Sequence, residues 1–249
     1  MPKPMRMLLS ALLLLFAKLA ASERVMLTAA DGVQVHGEFW PAANARAPLI
    51  LAFHQVGSSH AEYTPLAPRL NRAGFHVLAI DQRSGGAEFG GQNLTVAGLG
   101  RSTGYDAALA DLEAALAWGR AKAQDAPLIV WGSSYSAALV FLLAARHPAD
   151  VSGLLAFSPG EYLGSPNAVA TAAKALRMPV FVTQSSDPDE TLQSRQLLQA
   201  TASSDKTLFL PKRKGVHGSA TLRADRNAAG AEENWAAVQV FLSRLKVTR

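Results

Sequence analysis

Short apolar runs separated by helix-length stretches constrain this chain more than any other feature. Leu49–Phe53 is apolar without interruption and stops at His54; residues 75–80 stop at Asp81; residues 128–131, Leu-Ile-Val-Trp, stop at Gly132. A run without polar alternation suits a strand covered on both faces, as inside a parallel sheet. Further strands are expected at 25–28 and 33–40, joined by the turn signal Asp31-Gly32, and at 151–157, Val180–Thr183 and 207–210. Between them the apolar spacing predicts helices over 63–73, 105–123, Tyr135–Arg146, 168–176, 190–200 and 232–245. Residues 85–104 read as a glycine-rich loop. The alternation predicts a mostly parallel central sheet with helices on both faces, an α/β fold.

The first segment stands apart from this pattern. Lys3 and Arg6 precede an apolar stretch over 7–17, and Ala20-Ala21-Ser22 offers small residues for cleavage. This reads as a signal peptide over 1–22, followed by one domain over 23–249. The protein is therefore expected to be exported, to the periplasm or outside the cell. The apolar stretch is too short to span a bilayer, which takes about 20 residues, so no stable membrane insertion is expected after cleavage. Removing 1–22 takes away three basic residues and no acidic one, and the net charge falls from +5 to +2. Nucleic acid is accordingly not an expected partner. The chain has no cysteine, which excludes disulfides, a thiolate nucleophile and thiolate-bound zinc. His36-Gly37-Glu38 has no accompanying ligand cluster, and no metal or cofactor is expected.

The chemistry is sought beyond the carboxyl ends of the strands, where open parallel sheets bind ligands. Gly132-Ser133-Ser134-Tyr135-Ser136 joins the strand at 128–131 directly to the helix that follows. A serine on so sharp a turn presents its hydroxyl at the sheet edge with a helix N-terminus behind it. The turn wants small residues on either side, and Ser136 stands where glycine is usual. Helix capping by Ser133 or Ser134 is the bland alternative. A serine nucleophile needs a base, and the base needs a carboxylate to fix its tautomer and stabilise its charge. His217 lies beyond the strand at 207–210 and is the one histidine after Asp187. Ser134, Asp187 and His217 thus follow in the order nucleophile, acid, base. Asp187 is favoured because it comes first after its strand; it also suits the cap before Pro188, which leaves Asp189 or Glu161 as alternatives. Expected oxyanion donors are the backbone N–H of Tyr135 and one from the loop after His54, Val56 or else Gln55. His54 reads as structural.

Together His54-Gln55-Val56-Gly57-Ser58, Asp81-Gln82-Arg83-Ser84-Gly85-Gly86, Ser134, Asp187 and Val216-His217-Gly218 resemble the α/β-hydrolase superfamily. The likeness is to lidless serine hydrolases similar to dienelactone hydrolases and prolyl-oligopeptidase-type catalytic domains. Dienelactone hydrolases use cysteine where this chain has Ser134, and the usual His-Gly pair is His54-Gln55 here. About twenty residues separate the strand ending at 157 from that starting at 180, too few for a lid domain. The resemblance implies an open site and a serine hydrolase acting on small carboxylic esters through an acyl-enzyme. Two alternatives are an exopeptidase-type hydrolase with the same triad, acting on an amide, and a non-catalytic binding protein on a hydrolase scaffold. The expected partner is a small-molecule ester or amide; oligomeric state is not legible.

Overall fold

The computed structural model describes residues 21–246; the proposed signal segment lies almost wholly outside them, and the first strand starts at Glu23, one residue after its expected end. Eight strands form one sheet: β1 (Glu23–Thr28), β2 (Gln34–Trp40), β3 (Leu49–Phe53), β4 (His76–Ile80), β5 (Leu128–Ser133), β6 (Gly153–Phe157), β7 (Val180–Thr183) and β8 (Lys206–Phe209). They lie side by side in the order β1-β2-β4-β3-β5-β6-β7-β8. The hairpin β1–β2 is antiparallel and meets β4 antiparallel; every pairing from β4 to β8 is parallel.

The central strands alternate between two cores, because successive side chains point to opposite faces. Leu49, Leu51, Phe53, Leu128, Val130, Leu154 and Ala156 share one core with residues from α3 (Leu109–Ala123), α4 (Tyr135–Arg146), α5 (Ala168–Ala173) and α6 (Pro188–Ala200). Ile50, Ala52, Ile129, Trp131, Leu155 and Phe157 face the other core, closed by α1 (Ala67–Arg72) and α7 (Ala231–Arg244). Aromatic rings run across that second face: Trp131 stacks on Phe157 at 4.6 Å, which continues to Phe181 at 6.2 Å. α4 is apolar almost all round because it is buried almost all round, and it ends at Arg146, with His147 as a non-helical cap, since the residue ahead of a proline disfavours helix.

The structure departs from the sequence expectation mainly in short elements. The helix expected over 63–73 starts only at Ala67. Before it, a 3-10 turn at His60–Glu62 brings Tyr63 inward to donate its hydroxyl to Phe53 O at 2.7 Å. The helix expected over 105–123 is a 3-10 turn at Asp106–Ala108 followed by α3. The supposed loop over 85–104 holds a helix, α2 (Leu94–Leu99). Asn93 caps it by accepting Val96 N–H at 2.8 Å, and Asp81 accepts Leu94 N–H at 2.9 Å. Two side-chain acceptors therefore start a helix that apolar spacing alone does not announce.

Candidate active site

Ser134 sits between β5 and α4 with φ 58° and ψ −124°. That backbone is strained for any residue but glycine and persists only where its surroundings enforce it. Here they do. Ser134 N–H donates to Phe157 O on the neighbouring strand at 2.8 Å. A Cβ on Gly132 would collide with Ser136 O. Ser136 itself, the departure from glycine, is accommodated by bonding rather than by strain. Its hydroxyl donates to His54 O at 2.6 Å and accepts from Gln82 Nε2 at 2.7 Å. The extra hydroxymethyl group thus ties the elbow to the start of the loop after β3.

His217 reaches the elbow from the segment beyond β8. Its Nε2 lies 2.7 Å from Ser134 Oγ, and its Nδ1 lies 2.8 Å from Glu190 Oε1. In the tautomer this implies, Nδ1–H donates to Glu190 and Ser134 O–H donates to Nε2. Glu190 Oε2 also accepts Ser185 N–H at 3.0 Å. The loops carrying acid and histidine are stitched together, because Ser186 N–H donates to Gly215 O at 3.1 Å and Gly215 N–H donates to Ser186 Oγ at 2.8 Å. Gly218 follows with φ +67°, and a Cβ there would meet Ser133 Oγ.

Asp187, the expected acid, is elsewhere. It caps α6, accepting Asp189 N–H at 2.8 Å and Glu190 N–H at 3.2 Å through one carboxylate oxygen. Of the alternatives, Glu161 accepts Val169 N–H and Ala170 N–H at the start of α5, and Asp189 lies exposed in the first turn of α6. The carboxylate that meets His217 is Glu190, three residues after the cap. Side chains of a helix lean towards its N-terminus, so a residue in the first turn projects back over the sheet edge. The signal that points to it is the spacing Asp187-x-x-Glu190, in which a carboxylate three residues after the cap reaches back over the start of the helix, here to Ser185 N–H.

The electrostatics follow from this pairing. The hydrogen bond that His217 donates to Glu190 raises the imidazole above its ordinary value, against partial burial. Burial is the largest single influence on Glu190 and works to raise it, but the hydrogen bonds from His217, Ser158 and Ser185 N–H and the charge of the imidazole together outweigh it and hold the carboxyl at about 2. Ser134 is only 7 % exposed, whereas the His217 side chain is 42 % exposed, so solvent meets the imidazole directly.

The expected oxyanion donors separate. Gln55 N–H is taken: it donates to Glu62 Oε2 at 2.7 Å, and its side-chain Nε2 reaches Glu88 Oε2 at 3.0 Å. Gln55 is therefore withdrawn as a donor. Val56 N–H has no acceptor among the described residues, and Tyr135 N–H is the first of α4, where no intrahelical partner exists. His54 is fully buried; its Nδ1–H donates to Gln55 O at 2.7 Å and its Nε2 accepts Gln82 N–H at 2.9 Å. Burial lowers its pKa to about 4, so the ring is a neutral brace for the loop. Among the described residues no cluster of three metal-binding side chains is present.

The sequence profile of the family described as serine aminopeptidase, S33, matches residues 44–208, a stretch that includes Ser134 and Glu190 and stops before His217. No curated protein matches. Among solved structures, an esterase from Pyrococcus furiosus is 19 % identical with a TM-score of 0.66, covering 91 % of this chain and 92 % of its own. A dienelactone hydrolase from Anabaena variabilis is 16 % identical with a TM-score of 0.68, covering 90 % and 97 %. A thermostable carboxyl esterase from Bacillus coagulans is 13 % identical with a TM-score of 0.68, covering 92 % and 100 %. At such identities the likeness carries the fold, and the profile carries the family: this chain belongs to the serine aminopeptidase S33 family of α/β-hydrolases.

Proposed function

We propose that the protein is a serine hydrolase that cleaves small carboxylic esters through an acyl-enzyme. The observation that carries this reading is the continuous line Ser134 Oγ, His217, Glu190, with both contacts under 3 Å. Ser134 attacks the ester carbonyl while His217 Nε2 takes its proton; the proton then goes to the departing alcohol. Water attacks the acyl-enzyme with His217 as base again, and the acid leaves. Glu190 holds the imidazole in the tautomer that leaves Nε2 free and stabilises its cation. Val56 N–H and Tyr135 N–H receive the carbonyl oxygen as it becomes negative, each donor contributing about 3 kcal/mol in the transition state. Activity needs neutral His217, so turnover rises with pH through the raised histidine pKa. The esterase neighbours support an ester substrate.

A fluorophosphonate probe is expected to label the wild-type protein and not Ser134→Ala; equal labelling of both would falsify the assignment. The family's own description favours a second reading, amide cleavage at a peptide N-terminus by the same triad. Aryl ester and aminoacyl anilide offered to the same preparation separate the two, with faster ester turnover expected.

A further inference from the structure

One buried carboxylate near the site takes no part in the proton relay. Glu62 is wholly buried, in the 3-10 turn after β3. Its two oxygens reach different parts of the site. Oε2 accepts Gln55 N–H at 2.7 Å, in the loop that carries Val56. Oε1 accepts the hydroxyl of Ser133 at 2.6 Å, next to the elbow serine. Ser133 Oγ in turn accepts Ser219 N–H at 2.8 Å, two residues after His217. The oxyanion loop, the elbow and the histidine loop therefore meet at one side chain.

We propose that Glu62 is a positioning residue for hydrolysis, and that its ionised carboxylate is the form that holds the oxyanion loop in register with Ser134. The inference rests on the serine-hydrolase reading above. Its first support is donor and acceptor bookkeeping. By holding Gln55 N–H, the carboxylate fixes the peptide just before Val56 and leaves Val56 N–H as the free donor. A proton on Oε2 would face Gln55 N–H. A proton on Oε1 would face Ser133 Oγ and displace that hydroxyl's hydrogen from its acceptor. The network fits a carboxylate as it stands, and an added proton is held only by breaking the bond to Gln55 N–H or by turning the Ser133 hydrogen off its acceptor.

The surroundings set where this matters. Glu62 is flanked by Arg223, whose Nη1 donates to Ala61 O and Glu62 O at 3.2 Å, and by Glu88 across the loop; His217, Tyr63 and Tyr135 also face it. Burial is the largest influence and pushes the carboxyl up to about 7, against the hydrogen bonds from Ser133 and Gln55 N–H. The carboxylate is thus lost as pH falls through about 7, and His217, itself raised, gains its proton on the same acid limb.

The test is the pH profile of kcat/KM for a neutral aryl ester, in wild type, Glu62→Gln and Ser133→Ala. Wild type is expected to show an acid limb steeper than one proton requires, because Glu62 and His217 must both be deprotonated. Glu62→Gln is expected to show a one-proton limb at lower pH, since one of the charges that raise His217, the smaller one beside that of Glu190, is gone. Its plateau kcat falls about tenfold or more with KM changed less than about threefold, as loss of a transition-state contact requires. Ser133→Ala removes the hydroxyl that lowers Glu62, so its limb moves up by roughly half a unit or more; this arm decides the matter if Glu62→Gln does not fold. A one-proton limb in wild type, an unchanged profile in Glu62→Gln, or an unmoved limb in Ser133→Ala overturns the inference and leaves the serine hydrolase standing. A wild type without ester turnover overturns the reading beneath it, and the inference with it.

Discussion

Two carboxylates three residues apart divide the work at the start of α6. Asp187 holds the helix, and Glu190 holds the histidine. Their substitutions are expected to separate cleanly. Glu190→Gln offers Nδ1 an amide N–H as readily as a carbonyl, favours the wrong imidazole tautomer, and lowers kcat by on the order of 10⁴-fold with little change in melting temperature. Asp187→Ala lowers stability by about 1 kcal/mol through the lost cap and leaves most of the activity. Steady-state kinetics and thermal melts on the two proteins check this; equal activity losses would reassign the acid. The same pair shows where residue-level reading stops. The segment Asp187-Pro188-Asp189-Glu190 was legible as a capped helix start, but distance along the chain from β7 favoured Asp187, whereas the pitch of the helix brings Glu190 over the sheet edge. Glu62 left still less trace. It lies one residue before the helix expected over 63–73, and only the folded turn shows it buried where three segments meet.

At the scale of elements, the sheet was the most legible part. Uninterrupted apolar runs announce β3 and β5, and their alternation between the two cores follows from strand geometry alone. The short elements were not legible, because local contacts create them: the side-chain acceptors Asn93 and Asp81 start α2, and the 3-10 turn Gly218–Leu222 begins on a left-handed glycine. That last turn delivers His217, and it tolerates no side chain at its first residue. Gly218→Ala is expected to lose about 1–2 kcal/mol from the left-handed backbone alone. Its methyl group also presses on Ser133 Oγ and displaces the imidazole, lowering kcat by about 10²-fold. Denaturant unfolding and kinetics on the same variant measure both; wild-type values for either count against this account of the loop.

Across the whole molecule, one sizeable cavity lies at the end of the sheet opposite the chemistry. It has a volume of about 1090 Å³ and opens at the amino ends of β5 and β7, lined by Leu128, Pro179 and charged residues. Two of its charge pairs, Arg120–Asp150 and Arg244–Asp205, are mutually compensated at 3.2 Å, and none of the triad residues borders it. The antiparallel hairpin is fastened to the parallel body by Arg83. That guanidinium reaches Asp111 on α3 at 2.7 Å and Asp31 at the hairpin tip. Asp111 is fully buried. Arg83→Met strands it without a counter-charge, and a loss of about 3–5 kcal/mol in chemical denaturation is expected; a loss under about 1 kcal/mol would show that the hairpin is held by its apolar side chains instead. The exposure of His217 has a consequence for the order of events in turnover. Under the proposed mechanism, water reaches the place that the alcohol vacates beside Nε2 without any part of the chain swinging aside. An acyl-enzyme formed there is open to the medium as soon as the alcohol has diffused away, and its lifetime is set by chemistry rather than by a gate.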